Sequence, residues 1–270
     1  MQSDRAGLAD SREIFETLYR NYNRRVLVSP DPLQFLYDYE RAEDREIVGL
    51  IASSLAYGRV AQILKSVRRV LDALGSSPAA YLAQAERGEL EKKLTGFVHR
   101  FTDAAEMVGF LICIKEALVR YGSLENIFFE NFHGDTWSAV EFFVSRLTAC
   151  GGRGAMYLLP NPARGSACKR LWLFLRWMGR SDEVDPGGWE RLSPEMLYVP
   201  LDTHMFNICR GLGLCARRSA NRRAAEEITG AFRVICPEDP VRYDFALTRF
   251  GIRNDMTIQE LFNLLQNFME

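Results

Sequence analysis

Two stretches of the chain are rich in basic side chains and contain no acidic residue. Residues 158–180 and 205–225 carry five each: Arg164, Lys169, Arg170, Arg176 and Arg180, then Arg210, Arg217, Arg218, Arg222 and Arg223. Basic side chains that share one face of a protein most often bind phosphate, because their summed positive potential attracts it. The pattern predicts a phosphate-binding face, and the alternative is a set of scattered, solvated arginines.

Two residues in this part of the chain each stand at the start of a predicted helix. Asp202 precedes the segment 203–212, where its side chain can cap the helix by accepting a backbone N–H. Lys169 opens the strongly apolar segment 169–178, where it is either a solvated helix residue or a ligand for phosphate. Spacing alone does not choose among these roles.

The elements that must position these residues are almost all helices. Apolar residues recur at helical spacing over 45–74, 104–121, 138–147, 169–178, 203–212, 222–234, 241–250 and the C-terminal segment after Thr257. Asp44 and Ser138 are predicted N-caps, and Thr257 with Glu260 forms a capping box. Glycines and prolines predict loops over 151–165 and 180–200. Alternating strand patterns are scarce, so the predicted fold class is all-α.

Composition excludes several classes of protein. The 270 residues have a net charge of −1, and 47% are apolar and 11% aromatic, which is typical of a globular chain and not of a disordered one. The longest apolar runs are too short to span a bilayer, and the polar N-terminus predicts a cytoplasmic protein without a secretory signal. Six cysteines without a CxxC pair predict thiols, and three scattered histidines predict no metal site.

One segment resembles a known family of DNA repair enzymes. Val199–His204 reads VPLDTH and is similar to the segment of helix-hairpin-helix DNA glycosylases, such as endonuclease III-like enzymes, that carries their catalytic aspartate. Leu159–Ser166 takes the place of their hairpin, although LPNPARGSAC lacks the usual glycine-rich turn. The 33 residues from Lys169 to Asp202 exceed the endonuclease III-like spacing and resemble the archaeal 8-oxoguanine glycosylases.

The whole chain also resembles an uncharacterised bacterial family of unknown function. The segments that carry this second resemblance are KRLWLFLRWM, VDPGGW, VPLDTHMF and DPVRYDFAL. We expect that family to be distantly related to the glycosylases. The likeness to glycosylases covers about residues 44–251, and its motifs are specific only over 158–214.

The resemblance implies roles for individual residues. Lys169 is expected to be the nucleophile that attacks the sugar, and Asp202 is expected to stabilise the cationic sugar and take a proton. The residues expected to bind DNA phosphate are Arg164, Gly165, Ser166 and Arg170. The residues expected to line the base pocket or probe the base stack are Tyr57, Arg59, His99, Trp172, Trp189, His204 and Asp244.

Several of these pocket residues have a structural alternative. Trp172 fits a helix core as well as a stacking platform, and Trp189 fits either an exposed aromatic or a loop anchor. His99 and His204 fit buried, hydrogen-bonded histidines. Asp244 also fits a residue that buttresses a helix.

The sequence therefore predicts a two-lobed helix-hairpin-helix glycosylase fold with its active site in the interlobe cleft. The predicted divisions are an N-terminal segment 1–44, a helical bundle 45–150, a hairpin and catalytic helix 151–215 and a C-terminal lobe 216–270. The predicted function is a DNA glycosylase and abasic-site lyase for a damaged purine, 8-oxoguanine being the best single guess. The expected enzyme is a monomer that binds double-stranded DNA and needs no metal or organic cofactor.

Three other functions remain open on the sequence alone. The first is a duplex-binding protein of the same fold that has lost catalysis. The second is an enzyme that acts on RNA or on nucleosides. The third is a structural helical protein, which predicts no basic cleft.

Overall fold

Most of the chain is helical in the computed structural model, which describes residues 11–150 and 157–267. The α-helices are α1 Arg12–Tyr22, α2 Ala42–Ser54, α3 Val60–Leu74, α4 Pro78–Gln84, α5 Arg87–Lys93, α6 Ala104–Tyr121, α7 Leu124–Glu130, α8 Thr136–Leu147, α9 Lys169–Gly179, α10 Thr203–Gly211, α11 Arg222–Ile235, α12 Asp244–Ile252 and α13 Ile258–Asn267. The 3₁₀ helices are Arg25–Leu27, Pro32–Asp38, Pro162–Arg164 and Pro194–Met196. Two short antiparallel strands, β1 Val98–His99 and β2 Thr102–Asp103, precede α6. The all-α prediction is confirmed.

Local capping explains several of the helix boundaries. Asp103 accepts the N–H of Glu106 while the Glu106 side chain accepts the N–H of Asp103, which completes a capping box at the start of α6. The predicted box between Thr257 and Glu260 is also present. Two predicted caps are wrong. Asp135, not Ser138, caps α8, and Asp44 lies inside the first turn of α2, where its carboxylate accepts the N–H of Ala79.

The long helix predicted over residues 45–74 is two helices, α2 and α3, separated by residues 55–59. Gly58 has a φ of 100°, a conformation that a helix cannot contain and that favours glycine. A Cβ at Gly58 would lie 2.8 Å from the Cδ of Arg100, so the strand hairpin packs directly on this turn. The break turns residues 56–58 toward the start of α9.

Helix α9 lies in the middle of the core and packs on α2. Gly49 of α2 is in contact with the ring of Phe174, since a Cβ there would lie 3.4 Å from the ring. Loop 180–200 then folds back over the end of α9, where Trp189 N–H donates to the carbonyl of Met178 at 3.0 Å. Gly188 has no space for a side chain, because a Cβ would lie 2.8 Å from the Cε of Met178.

A buried ion-pair network joins α9 to this loop and to α12. Arg176 and Arg180 are both 3% exposed, and Asp185 lies between them with no exposure. Arg176 also pairs with Asp244, and Arg180 pairs with Asp239 at 2.8 Å. The prediction that all the basic residues of 158–180 share a phosphate-binding face is therefore wrong for these two arginines, which neutralise buried carboxylates.

Two of the six cysteines form a disulfide. Cys113 of α6 and Cys150 form a disulfide with a Cα–Cα distance of 5.5 Å, so the prediction that all six cysteines are thiols is wrong for this pair. The fold brings together two residues that are 37 positions apart in sequence. Among the described residues, no helix is both long and apolar enough to cross a membrane.

Candidate active site

Lys169 and Asp202, 33 positions apart in sequence, form an ion pair. The Lys169 Nζ lies 3.2 Å from the Asp202 Oδ2. The Lys169 side chain is 34% exposed and the Asp202 side chain 14% exposed, so the pair is accessible to a ligand. Asp202 also caps α10, because its Oδ1 accepts the Met205 N–H at 2.8 Å. The capping role and the ion pair therefore use different oxygens, and each predicted role of Asp202 is geometrically possible.

The backbone on both sides of the pair is held by specific contacts. Cys168, immediately before Lys169, adopts a left-handed φ of 50°, a conformation that costs a non-glycine residue about 1–3 kcal/mol. Its N–H donates to the Ser166 hydroxyl at 3.1 Å. On the other side, the Val199 N–H donates to the Thr229 hydroxyl at 3.0 Å and anchors the chain that leads to Asp202.

One face of the pair opens into a cavity of about 360 Å³, here called the Asp244 cavity. Its polar lining comes from Asp31, Lys169, Arg176, Asp202, His204, Asp244, Thr248 and Arg249. The remaining lining residues are Pro30, Pro32, Ala56, Gly58, Val60, Ile63, Leu173, Pro200, Gly251 and Ile252. This size lies in the range of small-molecule sites. The mixture of apolar walls and a few polar groups is typical of a small-molecule pocket.

Charges are concentrated on the buried wall of the Asp244 cavity. Asp244 is 3% exposed, and burial raises the pKa of its carboxyl to about 6, with the nearby Asp202 carboxylate acting in the same direction. Arg176 opposes this shift by pairing with one Asp244 oxygen. The cavity wall next to Asp202 is therefore a buried carboxyl held by a buried guanidinium.

The other face of the pair opens into a second cavity of about 460 Å³, here called the Ser166 cavity. Tyr57, Ser166, Arg170 and Ala220 line it together with Lys169 and Asp202. Because the ion pair lines both cavities, a ligand in either one can contact the amine and the carboxylate.

The residues predicted to bind phosphate differ in their accessibility. Arg164 and Gly165 are exposed, and Gly165 adopts a left-handed φ of 75° directly after the Pro162–Arg164 helix. Ser166 is exposed at the Ser166 cavity. Arg170 differs, because its guanidinium donates to the carbonyls of Ser54 at 2.7 Å and Tyr157 at 2.9 Å. Two of its donors therefore hold α9 to the neighbouring backbone, and its phosphate contact stays a prediction, because Arg170 also lines the Ser166 cavity.

Three predicted pocket residues are core residues. Trp172 has no exposure and packs edge-on against Trp137 at 4.9 Å, so it cannot stack on a base. Trp189 is only 7% exposed because loop 180–200 turns inward, which excludes the exposed aromatic and favours the loop anchor. His99 has no exposure, and burial lowers the pKa of its imidazole. Its Nε2 donates to the Tyr57 carbonyl at 3.1 Å, so it holds the turn at residues 55–59.

The other predicted pocket residues lie at or near the cavities. Asp244 and His204 line the Asp244 cavity, and the exposed His204 side chain makes no hydrogen bond within residues 11–150 and 157–267. Tyr57 lines the Ser166 cavity, and its hydroxyl lies 2.9 Å from the Thr102 hydroxyl. Arg59 is exposed at the start of α3 and lines neither cavity.

Trp189 donates a hydrogen bond to the buried carboxyl of Glu46, which is expected to make the stability of the fold depend on pH. Its Nε1 donates to Glu46 Oε2 at 2.9 Å, and burial raises the pKa of Glu46 to about 7 from 4.5. The folded state thus binds the extra proton between pH 4.5 and 7, and the free energy of unfolding falls as pH rises through this window. This shift corresponds to about 3 kcal/mol. Urea unfolding at pH 4.5 and 8 is expected to show this loss in the wild type relative to Glu46→Gln. Parallel pH profiles would contradict it.

An aromatic cluster lies beside the Ser166 cavity, and sequence reasoning missed Tyr157 as a member of it. Phe101 is 68% exposed at the tip of the strand hairpin, and its ring contacts that of Tyr157, which is 41% exposed. Tyr157 in turn contacts Tyr57, which lines the cavity. The sequence FVHRFT does not by itself predict that the ring of Phe101 points outward.

The site carries an amine, carboxylates and guanidinium groups. Within the described residues, no cluster of His, Cys, Asp and Glu is arranged to hold a metal ion. Comparisons with curated proteins and with solved structures found no match. A family model matches residues 31–253, which include the ion pair and both buried arginines of α9. The chain therefore belongs to the family described as "Protein of unknown function (DUF2400)".

Proposed function

We propose that the protein is a DNA glycosylase with abasic-site lyase activity, in which Lys169 is the nucleophile and Asp202 its proton acceptor. The observation that carries the proposal is the 3.2 Å contact between the two groups, at a point where both line the same two cavities. A simple helix cap needs no lysine at this distance, and a phosphate ligand needs no carboxylate beside it. The fold proposed with this function is the two-lobed helix-hairpin-helix arrangement predicted from the resemblance.

The proposed chemistry begins with proton transfer from the Lys169 ammonium to the Asp202 carboxylate. The neutral Nζ attacks the sugar C1′ of a nucleotide that has left the base stack, the C1′–N bond breaks, and the base leaves with the bonding electrons and takes up a proton. Ring opening gives an imine between Nζ and C1′. Loss of a C2′ proton then expels the 3′ phosphate, which cleaves the strand. Asp202 passes the proton it accepted to the departing base, and the carboxylate that this restores stabilises the positive charge on the sugar.

The two cavities suit the two parts of such a substrate. The buried residues Asp244 and Arg249 line the Asp244 cavity, where we place the damaged base. The exposed Arg164 and Gly165 lie on the chain that leads to the Ser166 cavity, where we place the DNA backbone. Because Lys169 and Asp202 line both cavities, the sugar between base and phosphate would lie against them.

The proposal is tested by incubating the protein with duplexes that carry 8-oxoguanine, hypoxanthine, uracil, an abasic site or no lesion. Free base and cleaved strand are quantified, and borohydride is added to capture any imine. Release of one base with a captured adduct supports the glycosylase and lyase together. Release without an adduct would remove Lys169 as the nucleophile. Neither release nor adduct on any duplex would overturn the proposal and favour a protein that binds DNA without catalysis.

Asp202→Asn separates the catalytic role of Asp202 from its capping role. Asparagine caps helices about as well as aspartate, so α10 is expected to remain intact. The variant loses the proton acceptor, which typically contributes 10²–10⁴-fold to a rate, and we expect imine formation to slow by about a hundredfold. Single-turnover trapping on abasic DNA measures this rate, and circular dichroism confirms the fold. A rate within threefold of the wild type would show that the carboxylate is only a cap.

Phe101→Ala tests whether the exposed aromatic cluster contacts nucleic acid bases. Stacking of an aromatic ring on a base contributes about 1–3 kcal/mol, so the variant is expected to bind abasic duplex about 5- to 150-fold more weakly. Val98→Ala, at an exposed position of the same hairpin, is the matched control and should bind as the wild type does. Fluorescence anisotropy at fixed salt measures both affinities. Equal affinities for the two variants would place the cluster outside the interface.

A further inference from the structure

Two buried polar atoms of the Asp244 cavity have no hydrogen-bond partner among the described residues. They are Oδ1 of Asp244 and Nε of Arg249. Both residues line the cavity, and they are 3% and 2% exposed. A buried polar atom without a partner costs about 1–3 kcal/mol, so each atom is expected to find one in a ligand that enters the cavity.

The rest of each side chain is fixed by other contacts. The second oxygen of Asp244 pairs with Arg176, and the Nη2 of Arg249 lies 3.2 Å from Asp31 Oδ2. Because burial raises the Asp244 pKa only to about 6, the carboxyl is ionised at pH 7.5 and its free oxygen is an acceptor. Two residues that line the cavity therefore each keep one polar atom without a partner, an acceptor on Asp244 and a donor on Arg249.

A neighbouring carboxylate of the same network provides a contrast. Both oxygens of Asp239 accept hydrogen bonds from Arg180. The Nε donates to Oδ1 at 3.1 Å and to Oδ2 at 3.0 Å, and the Nη2 donates to Oδ2 at 2.8 Å. Asp239 does not line the cavity. Of Asp239 and Asp244, only Asp244 lines the cavity and has an oxygen without a hydrogen-bond partner.

We propose that Asp244 and Arg249 recognise the lactam edge of the excised base, a ring N–H donated to Asp244 Oδ1 beside a carbonyl that accepts from Arg249 Nε. This inference rests on the proposed function. Arginine commonly donates to the carbonyl of guanine-type bases and carboxylates accept base N–H groups, whereas adenine is usually recognised by the amide of Asn or Gln. The substrate class is therefore a base with a lactam edge, such as 8-oxoguanine, hypoxanthine or uracil.

The test uses two free purines that differ at one ring nitrogen. Hypoxanthine carries the N–H and the carbonyl, and 1-methylhypoxanthine has a methyl group in place of that N–H. A site built to hydrogen-bond a group strongly rejects the analogue that lacks it. Titrations followed by NMR at pH 7.5 are expected to show at least tenfold weaker binding of the methylated base.

Asp244→Asn is expected to abolish this preference. With its carbonyl oxygen facing Arg176, the asparagine would present an NH₂ donor where the ring N–H needs an acceptor. Asp239→Asn removes a carboxylate from the same buried network and should keep the preference. If Asp244→Asn fails to fold, Arg249→Lys tests the carbonyl contact instead: it keeps the charge and removes the Nε donor, so it should weaken the binding of both purines and leave their ratio unchanged. Equal binding of the two purines by the folded wild type, or no binding of hypoxanthine at millimolar concentration, would overturn the inference.

This test does not depend on the lyase step. If an imine is captured on abasic DNA but hypoxanthine does not bind, the proposed lactam contact is wrong and the proposed lyase function is supported. If hypoxanthine binds and its binding requires Asp244, but no imine is captured and no base is released, the cavity binds a base and the proposed glycosylase activity is wrong.

Discussion

Replacing Lys169 by glutamine is expected to abolish strand cleavage and imine formation while leaving the fold intact. Glutamine has a helix propensity similar to that of lysine and carries no nucleophilic amine. Loss of the group that forms the covalent intermediate is expected to lower the rate at least about a thousandfold. The side chain is 34% exposed, so the free energy of unfolding should change by only about 0.5 kcal/mol.

Lys115→Gln is the matched control for this experiment. Lys115 is also a partly buried lysine on a helix, and its Nζ donates to the Ala85 carbonyl at 2.8 Å. It lines neither the Asp244 cavity nor the Ser166 cavity. Single-turnover cleavage of abasic duplex should be unchanged in this variant. Residual cleavage by Lys169→Gln above about one tenth of the wild-type rate would contradict the assignment of the nucleophile.

Replacing Asp185 by asparagine is expected to cause the largest loss of stability. Asp185 has no exposure, and it lies between the buried Arg176 and Arg180. Removing one partner of a buried ion pair leaves uncompensated charge and costs about 3–5 kcal/mol. Equilibrium urea unfolding at pH 7.5 measures this loss.

The same loop offers a control for the Asp185 variant. Glu183 pairs with Arg24 at 3.6 Å, and both side chains are about half exposed, at 49% and 54%. An exposed pair of this kind contributes at most about 1 kcal/mol, so Glu183→Gln should unfold close to the wild type. Equal stability of the two variants would show that Asp185 does not hold the buried arginines.

Helices with strong local signals were predicted well from sequence. The prediction of 104–121 matches α6, because a capping box and a following glycine mark both ends within the segment itself. The prediction of 222–234 ends one residue before α11 does, and Asn221 caps it. These boundaries depend on neighbouring residues only, so a sequence pattern contains the necessary information.

Features that depend on distant contacts were predicted poorly. The turn at residues 55–59 interrupts a continuous apolar pattern because His99 and Arg100 pack on it from a hairpin about 40 positions away. Trp189 was a candidate exposed aromatic because its Pro-Gly-Gly sequence predicts a loop, but that loop packs on α9. The burial of Arg176 and Arg180 likewise requires Asp185, Asp239 and Asp244, whose pairing no local spacing indicates.

Part of the candidate site was predicted from sequence, and part of it became visible only in the fold. Lys169 and Asp202 were selected through a motif resemblance, and their contact at 3.2 Å is a result of the fold. Asp244 was selected as a pocket residue and lines the cavity. Arg249 was missed, because an arginine on an apolar helix gives no sign that its Nε lacks a partner.

The most direct test of Lys169 as the nucleophile is to locate the covalent adduct on the protein. Wild-type protein is incubated with abasic duplex and borohydride, the adduct is digested, and mass spectrometry identifies the modified residue. The sugar remnant is expected to be attached to Lys169. Attachment to another lysine or to the N-terminal amine, or the absence of any adduct, would contradict it.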